Sequence, residues 1–306
     1  MAVNIPKKHH YVPRSYLKRF SFDEKHVFIL RKNDNKPISV SVEGICAERD
    51  FYSMFNKNKT RNVNVEKIYS KLEDNFPNKI FGLIPKDLLH PYRDGAAILN
   101  PTQKTMLIEA ILLQIIRGKV VRDYGQSVAE QLYWDALDEI KKKFKNSKET
   151  ASQFEFLEQN KDIVLNNAIV GGSILPFIKR DEHSELRKNL QNRNCIIFMN
   201  RTGVDLITSD DPILIGDESG RTDKIFNYPL GDPNSFVYYP LDPKHLVLLC
   251  TQERCRGECD IGMVASLSAK DADLIKNLNA AQYRHCVRCA IANNPTILRA
   301  TKKITR

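Results

Sequence analysis

No stretch of the 306-residue chain reaches the ~18–20 consecutive apolar residues that a membrane-crossing helix needs. The opening MAVNIPKKHHYVPRSYLKRF also lacks the apolar core of a secretion signal. A cytoplasmic protein with no membrane partner is therefore expected. There is no Gly-x-Gly-x-x-Gly fingerprint, no Walker loop and no internal repeat, so neither a dinucleotide fold nor a solenoid is expected. Glycine and proline are sparse, 13 and 14 residues, too few for a collagen-like or low-complexity chain. Cysteine numbers seven, odd and scattered, which argues against a disulfide framework. Cys255-x3-Cys259 followed by Cys286-x2-Cys289 imitates a four-thiolate zinc pattern. Its spacing is imperfect, and buried free thiols rather than Zn²⁺ are expected.

What is present is a globular mixture, 42% hydrophobic and 27% charged, able to bury a large core. Lys plus Arg is 47 against 37 for Asp plus Glu, a net charge of +10. Residues 1–36 hold nine basic and three acidic side chains, and residues 280–306 six and none, so each end carries +6 and the middle about −2. Positive charge concentrated at the ends makes nucleic acid a candidate partner.

Two short β-prone runs, His26–Arg31 and Ile38–Val42, flank a turn-rich Asn-Asp-Asn and predict a hairpin. Val65–Phe76 is amphipathic, with Asn64 available as cap. Asn100 and Pro101 open the strongest helical pattern, running from Thr102 to Lys145 with a break near Gly118 or Gly125. Its first part, 101–120, is apolar nearly all round and predicts a helix at the centre of the core. Further helices are expected at 150–163, 164–180 and 184–191, with 145–162 the nearest thing to a linker or lid. The period then changes. Cys195–Met199 and Val204–Thr208 predict a second hairpin, Phe236–Tyr239 and Leu246–Thr251 two more strands, and 216–235 a long loop. The Ser268-x-x-Asp271 box opens a closing helix expected to run to about Ala290. The expectation is an α+β fold of one domain, 1–306: a hairpin segment at 1–60, a helical bundle at 61–192, then antiparallel strands and a closing helix at 193–306.

Several polar residues are out of place. Gln114 and Arg117 share one face of the apolar helix. A buried Arg needs an anion, either a core carboxylate or a phosphate of the substrate. His9, His10, Tyr11 and Arg14 crowd into six residues beside Lys7 and Lys8, pinned by Tyr16, Leu17 and Phe20. Imidazole serves there as acid, base or ligand, unless the segment only packs. Ser209, Asp210 and Asp211 follow a strand on a Pro-containing turn, a place for catalytic or Mg²⁺-binding carboxylates and equally for an Asx-turn. Asp210 followed at a distance by Asp242-Pro243-Lys244 imitates the Asp…Asp-x-Lys set of metal-dependent nucleases, although Pro243 would distort a strand.

The same segments carry a resemblance. HHYVPRSYLKRF (9–20), AERDFYSM (47–54), LLQIIRGK (112–119), LITSDDPIL (206–214), YYPLDPKHLVLL (238–249) and LNAAQYRHCV (278–287) occur in the order found in the family known as domain of unknown function 4238, which the chain resembles over nearly its whole length. The resemblance places His10, Tyr11, Arg14, Gln114, Arg117, Ser209, Asp210 and Pro212 on motif positions. It implies a hydrolase, most of all a nuclease, in a phage-defence setting. Relatives have Ser where this chain has Asp242, which tells against the Asp-x-Lys reading. The resulting expectation makes His10 and Asp210 catalytic, Tyr11, Arg14, Gln114, Arg117 and Ser209 substrate-binding, and Asp210 with Asp211 ligands of Mg²⁺. The alternative is a non-catalytic nucleic-acid- or protein-binding module that uses the basic ends.

Overall fold

The structure is a computed structural model and describes residues 8–62, 64–75, 99–143, 148–178, 185–216, 232, 235–251 and 263–305. Asn100 caps the central helix α3 (Pro101–Arg117) through a capping box with Gln103, and Pro101 takes the first helical position. Residues 107–115 are buried without interruption, and so is Arg117. The helix ends at Gly118, whose backbone turns extended (ψ 151°), and α4 (Lys119–Lys143) leaves in a new direction. Gly125 lies inside α4 and breaks nothing. The helical layer is completed by α2 (Asn64–Asn75), α5 (Lys148–Gln159), α6 (Lys161–Ile178) and α7 (Glu185–Gln191).

One face of the core is a five-stranded sheet in the order β12-β7-β11-β10-β9. Its members are β7 (Asn194–Asn200), β9 (Leu214–Gly216), β10 (Phe236–Asp242), β11 (His245–Cys250) and β12 (Met263–Leu267). Alternation along β7, β10 and β11 sends Cys195, Ile197, Val237, Tyr239, Val247 and Leu249 inward to meet Leu107, Ile111 and Leu113 of α3. A second sheet, β3-β2-β13-β8, joins β2 (His26–Arg31), β3 (Ile38–Ser41), β8 (Thr208–Ser209) and β13 (Cys289–Ala292). A strand from the end of the chain thus sits between elements from its beginning and its middle, and the three sequence regions share one framework. The fold is α+β. The closing elements are α8 (Ala272–His285), entered through the Ser268–Asp271 capping box, and α9 (Pro295–Ile304), capped by Asn294.

Four expectations change. Val204–Thr208 does not pair with β7; Thr208 joins β13 instead, and β7 pairs with β11 and with β12. The β12–β7 pair is parallel, so the late strands are not all antiparallel. The closing helix stops at His285, so Cys286 and Cys289 lie beyond it, Cys289 on a strand. Of the two expectations for 145–162, the helix at 150–163 is found, as 148–159, and the linker is not. Cys46, Cys195, Cys286 and Cys289 are buried free thiols, whereas Cys250 is in a disulfide. Cys255, Cys259 and residues 217–231 of the expected loop lie outside the described residues.

Candidate active site

The HHYVPR segment is held on both sides. Strand β1 (Lys8–His10) pairs with β4 (Ala47–Arg49), setting His9 opposite Glu48 and His10 opposite Ala47. Pro13 then fixes the turn into α1 (Arg14–Arg19), and Leu17 N–H returns to Pro13 O at 3.0 Å. The buried face of α1 pins the whole to the large sheet. Tyr16 Oη donates to Pro240 O at 2.6 Å, and Arg19 pairs with Asp242 and donates Nε–H to Leu241 O at 3.0 Å. Asp242, also 2.9 Å from His245 Nδ1, is thereby a structural anchor for α1.

Between this segment and α2 lies a cleft of about 640 Å³. Lys8, His10, Arg14 and Lys18 form one wall; Glu66, Tyr69 and Glu73, three to seven positions apart on one face of α2, form the other. Arg117 closes the floor. Burial opposes its charge, but Glu73 Oε1 at 2.5 Å from Nη1 and the Tyr52 ring hold the guanidinium charged. Arg117 also donates to the carbonyl of His10 and, at 3.2 Å, to Tyr52 Oη. Tyr52 N–H donates to His9 Nδ1 at 2.9 Å, which leaves the His9 proton on Nε2, 3.3 Å from Glu66 Oε2. The buried polar groups therefore form one connected network, Glu66–His9–Tyr52–Arg117–Glu73, that fixes the backbone of His10. Glu66 and Glu73 of α2 are spent inside it, while Asp74, the third acid of that helix, also lines the cleft. Lys8 Nζ donates to the carbonyl of Gly44 at 3.2 Å, and the exposed Arg14–Glu43 pair is loose, at 3.8 Å. Lys8 and Arg14 on the N-terminal wall are the cations whose partners, a carbonyl and a loosely held carboxylate, a ligand can displace.

His10 is the unusual member. Burial, and then the Arg14 guanidinium, lower its imidazole to about 4, so it is neutral at physiological pH. The backbone of Val42 takes one hydrogen bond from the ring. Nε2 is shielded from solvent and has no hydrogen-bond partner among the described residues. An orphaned buried acceptor costs ~1–3 kcal/mol and calls for an explanation.

Of the expected site residues, His10, Arg14 and Arg117 come together here. Tyr11 and Gln114 stand behind them: Gln114 Nε2 donates to Tyr11 O at 3.1 Å, and the Tyr11 ring packs on Phe51. The structure gives Arg117 a protein carboxylate, Glu73, in place of a substrate phosphate or Asp210. Ser209, Asp210 and Asp211 do not line the cleft. Asp210 accepts the backbone N–H of Val287 at 2.8 Å and of Arg288 at 2.7 Å, clasping the α8–β13 turn to β8. Burial raises its pKa against those two bonds. Ser209 Oγ lies 2.7 Å from Asp211 O and 2.8 Å from Gln282 Oε1, closing the turn. The Asp211 carboxylate, 3.7 Å from where a Cβ on Gly118 would stand, is pushed up to about 7 by burial and then by Asp210. With each oxygen of Asp210 already accepting a backbone N–H, its carboxylate is engaged by the main chain rather than presented to a cation. Among the described residues no group of three or more His, Cys, Asp or Glu is placed to hold a metal ion. No described helix is long and apolar enough to cross a membrane.

Lys18, Tyr52, Glu66 and Glu73 are not among the expected site residues, and Lys8 figures there only as a neighbour of the histidines. The i, i+3, i+7 spacing of Glu66, Tyr69 and Glu73 on an amphipathic helix, and Tyr52 within the AERDFYSM motif, were the available signals.

No curated protein and no solved structure matches the chain. A family model described as protein of unknown function (DUF4238) matches residues 8–296, from the strand that carries His10 to the first turn of α9. With its HHYVPR segment, its Gln114–Arg117 helix and its Ser209–Pro212 turn all joined in one framework, the chain belongs to the DUF4238 family.

Proposed function

We propose that the protein is a hydrolase of a phosphate-containing substrate, nuclease-like in type, with its chemistry in the His10 cleft. The observation that carries the reading is the neutral imidazole whose Nε2 lone pair has no partner among the described residues, beside Lys8 and the loosely paired Arg14. A neutral imidazole accepts a proton from an attacking hydroxyl, and fixed cations stabilise the charge that then builds on phosphorus-bound oxygens. In this reading His10 is the general base. Arg14 and Lys8 receive the phosphate. Arg117, Tyr52 and His9 hold the base in position, and Tyr11, Gln114, Ser209 and Asp210 act through the fold.

The test is His10→Ala, assayed on RNA, DNA and nucleotides together with thermal melts. A loss of at least about 100-fold with an unchanged melting profile is expected. The wild-type kcat/KM should rise with pH through about 4 and stay level above it, because only the deprotonated ring is active. Full activity in His10→Ala, or no turnover of any of these substrates by the wild type, overturns the proposal. The second outcome leaves binding through the basic ends, where Arg299 and Lys303 of α9 stay exposed while Lys302 Nζ is tied to Asp34 O at 2.6 Å.

A further inference from the structure

We infer that the cleft acts on single-stranded RNA, and that the attacking group is the substrate's own 2′-hydroxyl, delivered to His10 Nε2. The inference rests on the hydrolase reading and narrows it to one substrate class and one nucleophile.

The first argument is access. A base that activates a stationed water needs its lone pair open to water. His10 Nε2 is closed to solvent. Its proton donor must arrive with a ligand whose binding moves what covers the ring. Arg14 is the cation with the largest electrostatic effect on that ring, and its exposed, 3.8 Å pairing with Glu43 is easily exchanged. A phosphate drawn onto Arg14 from Glu43 therefore brings its neighbouring atoms to the imidazole. In RNA the neighbouring group is a 2′-hydroxyl; in DNA that carbon bears only hydrogen.

The second argument is chemical sufficiency. One neutral base and the Arg14 and Lys8 cations supply proton acceptance and charge stabilisation. A hydroxyl held beside its own phosphate supplies the rest, since well-oriented intramolecular nucleophiles reach effective molarities of ~10⁵–10⁸ M. The third is size. A cleft of about 640 Å³ lies within the range of small-ligand sites, roughly 300–1,000 Å³, and admits a nucleotide or two rather than a duplex.

The step balances without an oxidant or a reductant. The 2′-O–H bond breaks and its proton passes to His10 Nε2. The 2′-oxygen bonds to phosphorus as the P–O5′ bond breaks, and the leaving 5′-oxygen takes a proton from solvent water. The products are a 2′,3′-cyclic phosphate and a 5′-hydroxyl end. Water then adds to phosphorus, giving a proton to the hydroxide left in solvent by the first step, as the P–O2′ bond breaks and the 2′-oxygen recovers its proton from His10 Nε2, so that a 3′-phosphate is released and the neutral imidazole is restored.

The experiment incubates the full-length protein with an oligoribonucleotide, the same oligomer carrying 2′-O-methyl at the cleaved position, and its all-deoxy counterpart, and identifies the product ends by mass. Cleavage of the RNA to cyclic-phosphate and 5′-hydroxyl ends is expected, with at least a 1,000-fold loss on 2′-O-methylation and no cut in DNA. Because two of these changes are in the substrate, folding of a variant does not enter. Cleavage of the methylated or deoxy oligomer at a comparable rate, or 5′-phosphate products, overturns the inference while leaving the hydrolase proposal standing. Inertness toward RNA with turnover of mononucleotides does the same, and inertness toward every phosphate substrate overturns both.

Discussion

Asp211→Asn should make the protein more stable at neutral pH, although it alters a motif segment. Asp211 is 9% exposed, and its carboxylate makes no hydrogen bond among the described residues, so an amide of equal size forfeits none. Burial, and then Asp210, push its pKa up from 3.8 to about 7. Below pH 4 the folded and unfolded chains both carry the proton. Between 4 and 7 the unfolded chain releases it while the folded chain retains it, so stability falls as pH rises across this window. Above 7 both are ionised and the penalty is constant. Three pH units at ~1.36 kcal/mol each set a ceiling of ~4 kcal/mol. With an unfolding entropy of ~2.1 cal/mol/K per residue over 306 residues, that is a gain in Tm of up to about 6 °C at pH 8. Urea and thermal melts of both proteins from pH 4.5 to 8 decide it. The two should converge near pH 4.5 and diverge above. A variant less stable than wild type at pH 8, or two curves with the same pH dependence, would refute the reasoning and show that the carboxylate is engaged.

The neighbouring Asp210→Asn should do the opposite. It puts an NH₂ group against one of two backbone N–H donors, at a cost of ~2–4 kcal/mol, seen as a lower urea midpoint. Because Asp210 helps to raise Asp211, the same variant should also shift the pH-dependent window downward. Arg117→Ala strands Glu73 and frees the His10 carbonyl, for a loss of ~3–5 kcal/mol by denaturant unfolding; a loss below 1 kcal/mol would mean that the network does not hold the cleft floor.

Local chemistry was legible and distant partnership was not. Asn100 and Pro101 announce α3 because a cap and a helix-compatible φ act within four residues. Gly118 ends it as its position suggested. The apolar setting of Arg117 showed that it needs an anion, but the anion is Glu73, 44 residues earlier on a separate helix, and no local spacing names it. Asp210 illustrates the same limit. A carboxylate at a strand end looks alike whether it faces a substrate or the main chain, and the N–H groups that claim it lie 77 and 78 residues downstream. Strands β12 and β13 are short and lack a hairpin partner in sequence, so neither the parallel pairing of one nor the central place of the other showed in the pattern.

The position of β13 also sets an order of events during synthesis. Ribosomes deliver the N-terminal residues first. The hairpin of β2 and β3 can form early, but its outer neighbour is supplied only when residues 289–292 emerge, some 260 residues after Phe28, to which Ala292 is opposed. Tyr16, which ties α1 to the large sheet, likewise waits for Pro240. Closing loops of that length is slow relative to local pairing. The nascent chain therefore carries His10 for some 280 residues of synthesis without the framework that positions it, and the His10 cleft takes its shape only once Pro240 and residues 289–292 have emerged.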